Sequence, residues 1–170
     1  MQSLSGTGLD GPLAIGYVGG GSHGWATTLM NDLAQSPLDA TVRLYDVEYD
    51  AAAENAAFGN WVQDHDAARG RVEYVAERSL ADALAGADVV VCSTQDPPAE
   101  TYTHDLELPR EYGLQQTVGD TVGPGGTLRA MRAVPQYREI AAAVREHCPA
   151  AWVINYTNPM SVCTRTLYAE

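Results

Sequence analysis

Apolar residues along this chain follow two rhythms. Short runs at 13–18 (LAIGYV), 42–46, 72–75, 88–93 and 151–154 are apolar nearly throughout, and between them lie longer stretches with more widely spaced apolar positions. Short continuous runs predict strands buried on both faces, and spacings of three and four predict helices packed on one side. Helices are therefore expected at 24–35, 48–67, 79–85, 127–147 and 159–169. Strands that alternate with helices imply βαβ units and a parallel sheet, not a sandwich.

Local signals mark several ends. Ser79 with Asp82 three residues on has the form of a capping box, and Gly86 supplies a stop. Tyr137, Ile140, Ala141, Val144 and Cys148 recur at helical spacing and give 127–147 one core face. Pro135 lies inside that segment and lacks the N–H that the ladder needs, so a kink or broken turn is expected there. Asn158-Pro159 reads as a helix cap followed by a first-turn proline. Residues 94–126 fit no element: they form a polar, proline-bearing excursion, far longer than the ~2–6 residues usual after a strand.

The first strand runs into GGGSHG, with Gly19, Gly21 and Gly24 at the G-x-G-x-x-G spacing. That spacing suits a tight turn, a close approach of backbone to a pyrophosphate, and a helix packed against its strand. The pyrophosphate then meets free N–H groups at a helix N-terminus. Asp46 ends the second strand, where an acid accepts the hydroxyls of a ribose. The cofactor set is thus Gly19, Gly21, Ser22, His23, Gly24 and Asp46, joined by Thr94 at the end of the fourth strand. No arginine stands directly beside Asp46 in sequence, which favours NAD over NADP because a 2′-phosphate would be repelled.

Composition narrows the partners. The 170 residues hold 22 acids against 10 basic residues, all ten of them arginine, for a net charge of −12. Such a balance repels nucleic acid and anionic membranes. It also suits a salt-adapted protein, and equally a GC-rich genome that favours Arg over Lys. No apolar run approaches the ~20 residues of a membrane span. Residues 1–12 carry no basic start and no apolar core, so they read as a flexible arm on a cytoplasmic protein. Cys92, Cys148 and Cys163 show neither a CxxC pair nor a disulfide framework and read as reduced thiols. His23, His65, His104 and His147 share no ligand spacing with a Cys or an acid, so no metal site is expected in this chain.

Two further stretches carry a resemblance. GLQQTVGDTVGPGGTLRAMRAVP at 113–135 and WVINYTNPM at 152–160, behind the glycine loop, resemble glycoside hydrolase family 4, the NAD- and divalent-metal-dependent glycosidases. This family stands outside two-carboxylate glycoside hydrolysis. The resemblance implies a Rossmann-like, doubly wound α/β domain over 13–170, cut before its last strands and before a C-terminal domain. It also implies oxidation of the sugar at C3, loss of the C2 proton to a tyrosine, elimination, water addition and re-reduction. Asp120 falls at the family's acid that tunes the tyrosine, and Asn158 at its substrate-binding asparagine. Gln95 falls at a substrate-contacting position where phospho-sugar enzymes tend to show Arg, which points to an α-galactoside or a glucuronide-type sugar. None of Tyr102, Tyr112, Tyr156 and Tyr168 is assigned as the base.

The family's metal ligands (manganese is the expected ion), its base and its sugar-covering domain are expected downstream of Glu170. The chain alone is expected to be inactive, and an uncovered sheet edge to favour a homo-oligomer or a complementing C-terminal portion. Two alternatives stand beside this reading: a lactate/malate-dehydrogenase-like oxidoreductase, and a non-catalytic NAD-binding module. The GDTVGPGG loop carries an acid and no GK[ST] ending, so it is not a second phosphate cradle. Its glycines, Gly123, Gly125 and Gly126, are expected to turn the excursion tightly beside the nicotinamide and to present Asp120 to a sugar.

Overall fold

The computed structural model describes residues 11–95, 99–116 and 119–170, and the arm expected at 1–12 lies, but for its last two residues, outside them. The chain forms β1 (Leu13–Val18), α1 (Trp25–Ala34), β2 (Asp39–Tyr45), α2 (Tyr49–Gln63), β3 (Arg71–Glu77), α3 (Leu80–Leu84), β4 (Val89–Cys92), α4 (Ala99–Glu111), α5 (Gly123–His147), β5 (Trp152–Asn155) and α6 (Met160–Ala169). One sheet holds all five strands in the order β3-β2-β1-β4-β5. The β1–β2, β2–β3 and β1–β4 pairs are parallel, as the βαβ rhythm requires. Two compact units arise, residues 1–93 with 147–154, and residues 94–146 with 155–170.

In the first unit the side chains of β1 alternate between two helical layers. Ile15 and Tyr17 join a buried cluster with Ala26 and Met30 of α1 and Ala52 and Ala56 of α2. Gly16, between them, faces the opposite side, where a Cβ would meet the Ala83 carbonyl oxygen and Leu84 Cδ2 of α3, each at 2.9 Å. Helices thus cover both faces, the doubly wound arrangement expected. The outer strand β3 is sealed by side chains of α2. Asn60 Nδ2 donates to the Tyr74 carbonyl at 2.8 Å, and its Oδ1 accepts the Tyr74 N–H at 3.0 Å. At the other edge, β5 leaves Trp152, Val153 and Ile154 exposed.

The short helix α3 begins as its sequence demands. Ser79 Oγ accepts the Asp82 N–H at 3.0 Å and donates to the Asp82 carboxylate at 2.6 Å. Gly86 follows with φ +63°, the left-handed conformation that ends a helix.

In the second unit the excursion, in its described residues, includes regular structure. It contains α4, which the apolar pattern did not reveal because its buried positions include Asp105, paired with Arg132 of α5, and Pro109. Helix α5 starts four residues earlier than expected, at Gly123, so Gly125 and Gly126 stand in its first turn and not in a loop. They permit close approach: a Cβ on Gly126 would lie 2.6 Å from the Thr121 carbonyl carbon, and one on Gly125 3.1 Å from the Asp105 carbonyl oxygen. Gly123 alone supplies a turn, with φ +74°. α5 then runs through Pro135 as one element, so of the kink or broken turn expected there, the broken turn does not occur. Among the described residues, no helix is long and apolar enough to cross a membrane.

Candidate functional site

In the first unit the glycine loop is pinned from beneath. The Tyr45 carbonyl accepts the N–H groups of both Gly19 and Gly20 at 2.9 Å, and the Gly19 carbonyl accepts that of Ser22 at 3.2 Å. Asp46 Oδ2 takes the Gly21 N–H at 2.9 Å, while its Oδ1 takes the Glu48 N–H at 3.0 Å. Buried Asn55 completes the anchorage, donating to the carbonyls of Gly20 at 2.8 Å and Ser22 at 3.2 Å. With the carbonyls drawn inward, the amides of His23 and Gly24 are left without a hydrogen-bond partner among the described residues. Both precede α1, whose first turn contains no acid. Free amides and the positive end of a helix dipole together suit an anion.

The four glycines of the loop divide their work differently from the motif's usual account. Gly19 has φ +90° and makes the turn. Close packing falls to Gly20, whose Cβ would sit 2.7 Å from Leu44 Cβ, and to Gly21, whose Cβ would sit 2.9 Å from both Ala51 Cβ and the Asp46 carboxylate. A Cβ on Gly24 would meet nothing within 4 Å, so packing of helix on strand does not require a glycine there. His23 uses its backbone, its carbonyl accepting the Thr27 hydroxyl at 2.7 Å, and its side chain is exposed.

The second unit gathers the other candidates. Asp120 Oδ1 is ion-paired with Arg129 and accepts the Tyr102 phenol at 3.4 Å, and Oδ2 accepts Asn158 Nδ2 at 3.2 Å. Burial first, and then the adjoining Asp120 carboxylate, raise the Tyr102 phenol above its ordinary range against the opposing pull of Arg129. Tyr102 therefore stays protonated and acts as a donor. Asn158 also serves the helix start, its Oδ1 accepting the Met160 N–H at 3.2 Å, although the cap position itself is Pro159 and not Asn158 as expected. The Asn158-Pro159 peptide is cis.

Behind Asn158 stands a frame of amides and hydroxyls. Asn155 accepts the phenol of fully buried Tyr137 at 2.8 Å and donates to the Thr157 carbonyl at 3.1 Å. Thr157 Oγ1 in turn accepts the Thr94 N–H at 2.8 Å. Thr94, expected among the cofactor residues, thus ties the segment after β4 to the segment after β5. Gln95 is exposed and takes no part in the Asp120 cluster. Asn55, Asn155, Thr157, Arg129 and Tyr102 were not singled out as site residues from sequence. An asparagine inside the alanine-rich run AAAENAA, and Arg129 and Arg132 three apart inside a helix, were the available signals.

Similarity to known proteins gives the family. The family 4 glycosyl hydrolase profile matches residues 14–170. The chain is 48% identical over 157 residues to an α-galacturonidase of Thermoanaerobacterium saccharolyticum, covering 92% of this chain and 34% of that one. A solved structure from Bacillus subtilis assigned as a glucosidase, lplD, superposes with a TM-score of 0.84 at 46% identity, covering 94% of this chain and 36% of that one. The 6-phospho-β-glucosidase of Thermotoga maritima, solved with manganese, NAD+ and glucose-6-phosphate, gives 0.74 at 25% identity, covering 86% and 34%. The chain spans about a third of the length of these relatives. A doubly wound parallel sheet, a pinned glycine loop and a profile match over nearly its whole length place this chain in the family 4 glycosyl hydrolases.

Proposed function

We propose that this chain is the NAD-binding portion of a glycosidase that acts on an α-galacturonide. The observation that carries the cofactor assignment is the anchored loop, which leaves the His23 and Gly24 amides at the start of α1 without a hydrogen-bond partner among the described residues. Those amides would bind the pyrophosphate. Asp46, with lone pairs remaining beyond its two backbone bonds, would accept the adenosine ribose hydroxyls. When bound, NAD supplies a hydride acceptor for sugar C3 and returns the hydride at the end, so net hydrolysis consumes none.

In the second unit, Asp120 and Asn158 would hold sugar hydroxyls. Arg129, Tyr102 and Asn158 converge on the carboxylate and hold it in one orientation. A C3 ketone acidifies the C2 proton, whose loss expels the glycosidic oxygen before water adds. The fixed negative charge of Asp120 would raise the basicity of a phenol placed to take that proton. Manganese accompanies NAD in the Thermotoga relative, but no three His, Cys, Asp or Glu side chains among the described residues could hold a metal ion. No step is assigned to a metal on this chain, and we propose that the 170 residues alone do not turn over glycosides.

The uronide assignment rests on the 48% identity to an α-galacturonidase and on Gln95, which brings no cation for a phosphate. Family membership favours the glycosidase over a lactate-dehydrogenase-like reading. Cys92, Cys148 and Cys163 are buried and take part in no disulfide, which accords with a cytoplasmic setting.

The test is a chimera with residues 13–170 in place of the matching part of the Thermoanaerobacterium enzyme. It should cleave an α-galacturonide only with NAD present, and in heavy water should place deuterium at sugar C2. Cleavage without NAD, or without that exchange, would refute the assignment.

A further inference from the structure

The carboxyl edge of the sheet brings together three residues that lie apart in sequence. Tyr45, the last residue of β2, pairs in register with Glu77, the last of β3. Asp46 and Arg78 follow these two residues, so they leave neighbouring strands side by side, about 5 Å apart at the backbone. Tyr49 opens α2 three residues beyond Asp46, a span of at most about 11 Å. The guanidinium carbon of Arg78 lies 3.7 Å from the centroid of the Tyr49 ring. Arg78 forms no ion pair among the described residues and is exposed. The rule that no arginine stands directly beside Asp46 holds along the sequence and fails across the sheet.

A planar cation stacked on a phenol has one face covered and the other open. Ligands of open parallel sheets lie along the carboxyl ends of the strands. From the turn after β1, the next strand outward is β2 with the ribose acid Asp46, and the one beyond is β3 with Arg78. A base attached to a ribose held at Asp46 lies within reach of that open face. Charge favours the base over a phosphate here, because a 2′-phosphate on that ribose would face the Asp46 carboxylate. Stacking of an aromatic base on a guanidinium places no demand on the base's edges.

We infer that Arg78, carried on the Tyr49 ring, is the platform on which the adenine of the dinucleotide stacks. This rests on the cofactor reading above and deepens it to the recognition of the adenosine end.

Calorimetric titration of the chain with ADP and, separately, with inorganic pyrophosphate tests it. Arg78→Ala should weaken ADP about tenfold, and Arg78→Lys, which keeps the charge but loses the plane, nearly as much. Pyrophosphate affinity should stay unchanged in both, and so should the melting temperature, since Arg78 is exposed. Tyr49→Leu should weaken ADP in the same direction. Three results would overturn the inference: wild-type ADP affinity in Arg78→Ala, full retention in Arg78→Lys, or an equal loss for ADP and pyrophosphate. Failure of the wild-type chain to bind ADP or NAD at millimolar concentration would remove the cofactor reading itself, and the platform with it.

Discussion

Asn55 offers the sharpest test of how the loop is built. It is buried at 6% exposure, and one amide nitrogen holds two carbonyls, those of Gly20 and Ser22. Asn55→Ala removes both bonds and leaves acceptors with little access to water. A net contribution of about 1 kcal/mol per bond, with a further penalty for stranded carbonyls, gives a loss of about 2–3 kcal/mol. For a chain of this size that lowers the melting temperature by about 5–10 °C. The same loss frees the loop to leave its anchored form, so NAD should bind up to about 30- to 150-fold more weakly. Asn55→Asp keeps the shape but points oxygens at the two carbonyls, and should do at least as much damage. Differential scanning calorimetry and NAD titration read the two effects. A melting temperature within about 1 °C of wild type in either variant would refute the anchoring argument. A large thermal loss with unchanged NAD affinity would detach the loop from the cofactor.

Other consequences are separable. Gly20→Ala should cost about 1–3 kcal/mol because its Cβ would meet Leu44 at 2.7 Å, whereas Gly24→Ala, with open space around it, should cost less than about 1 kcal/mol; equal melting temperatures would contradict the packing argument. Asp120→Ala strands the Arg129 guanidinium, whose side chain is 14% exposed, and should destabilise by about 3 kcal/mol, with Asp120→Asn clearly milder on urea titration. Burial pushes the Cys163 thiol up to about 11 and the Tyr74 phenol up to about 12. The folded chain then keeps protons that the unfolded chain releases, so stability is intact below about pH 9 and falls as pH rises toward 11–12. Urea midpoints that rise between pH 9 and 11 would contradict this. Trp152→Lys with Ile154→Lys should abolish any concentration-dependent self-association through the exposed β5 edge, as read by analytical ultracentrifugation.

The parallel sheet was legible because its strands contain short, largely apolar runs that alternate with helical stretches, and the glycine loop because turns and close approaches leave few residue choices. Burial on both faces, expected from those runs, fails at β3, whose Arg71 and Glu73 are exposed, and at the edge strand β5. Ser79 and Gly86 marked the ends of α3 for the same local reasons. What stayed hidden depends on polar contacts between distant segments. α4 buries Asp105 against Arg132 in place of an aliphatic stripe, so hydrophobic spacing could not find it. The start of α5 was misplaced because glycines that read as a loop serve the approach of a helix to Thr121. Asn55 and Thr157 bind backbone groups that only the folded chain brings near. Arg78 stands beside Asp46 solely through the β2–β3 register.

Binding of NAD by the anchored loop of this chain is the central proposal. Calorimetric titration of the chain with NAD tests it most directly. Saturable heat with single-site stoichiometry, lost or strongly reduced in Asp46→Ala, is the predicted result. No heat, and no rise in melting temperature at millimolar NAD, would contradict it.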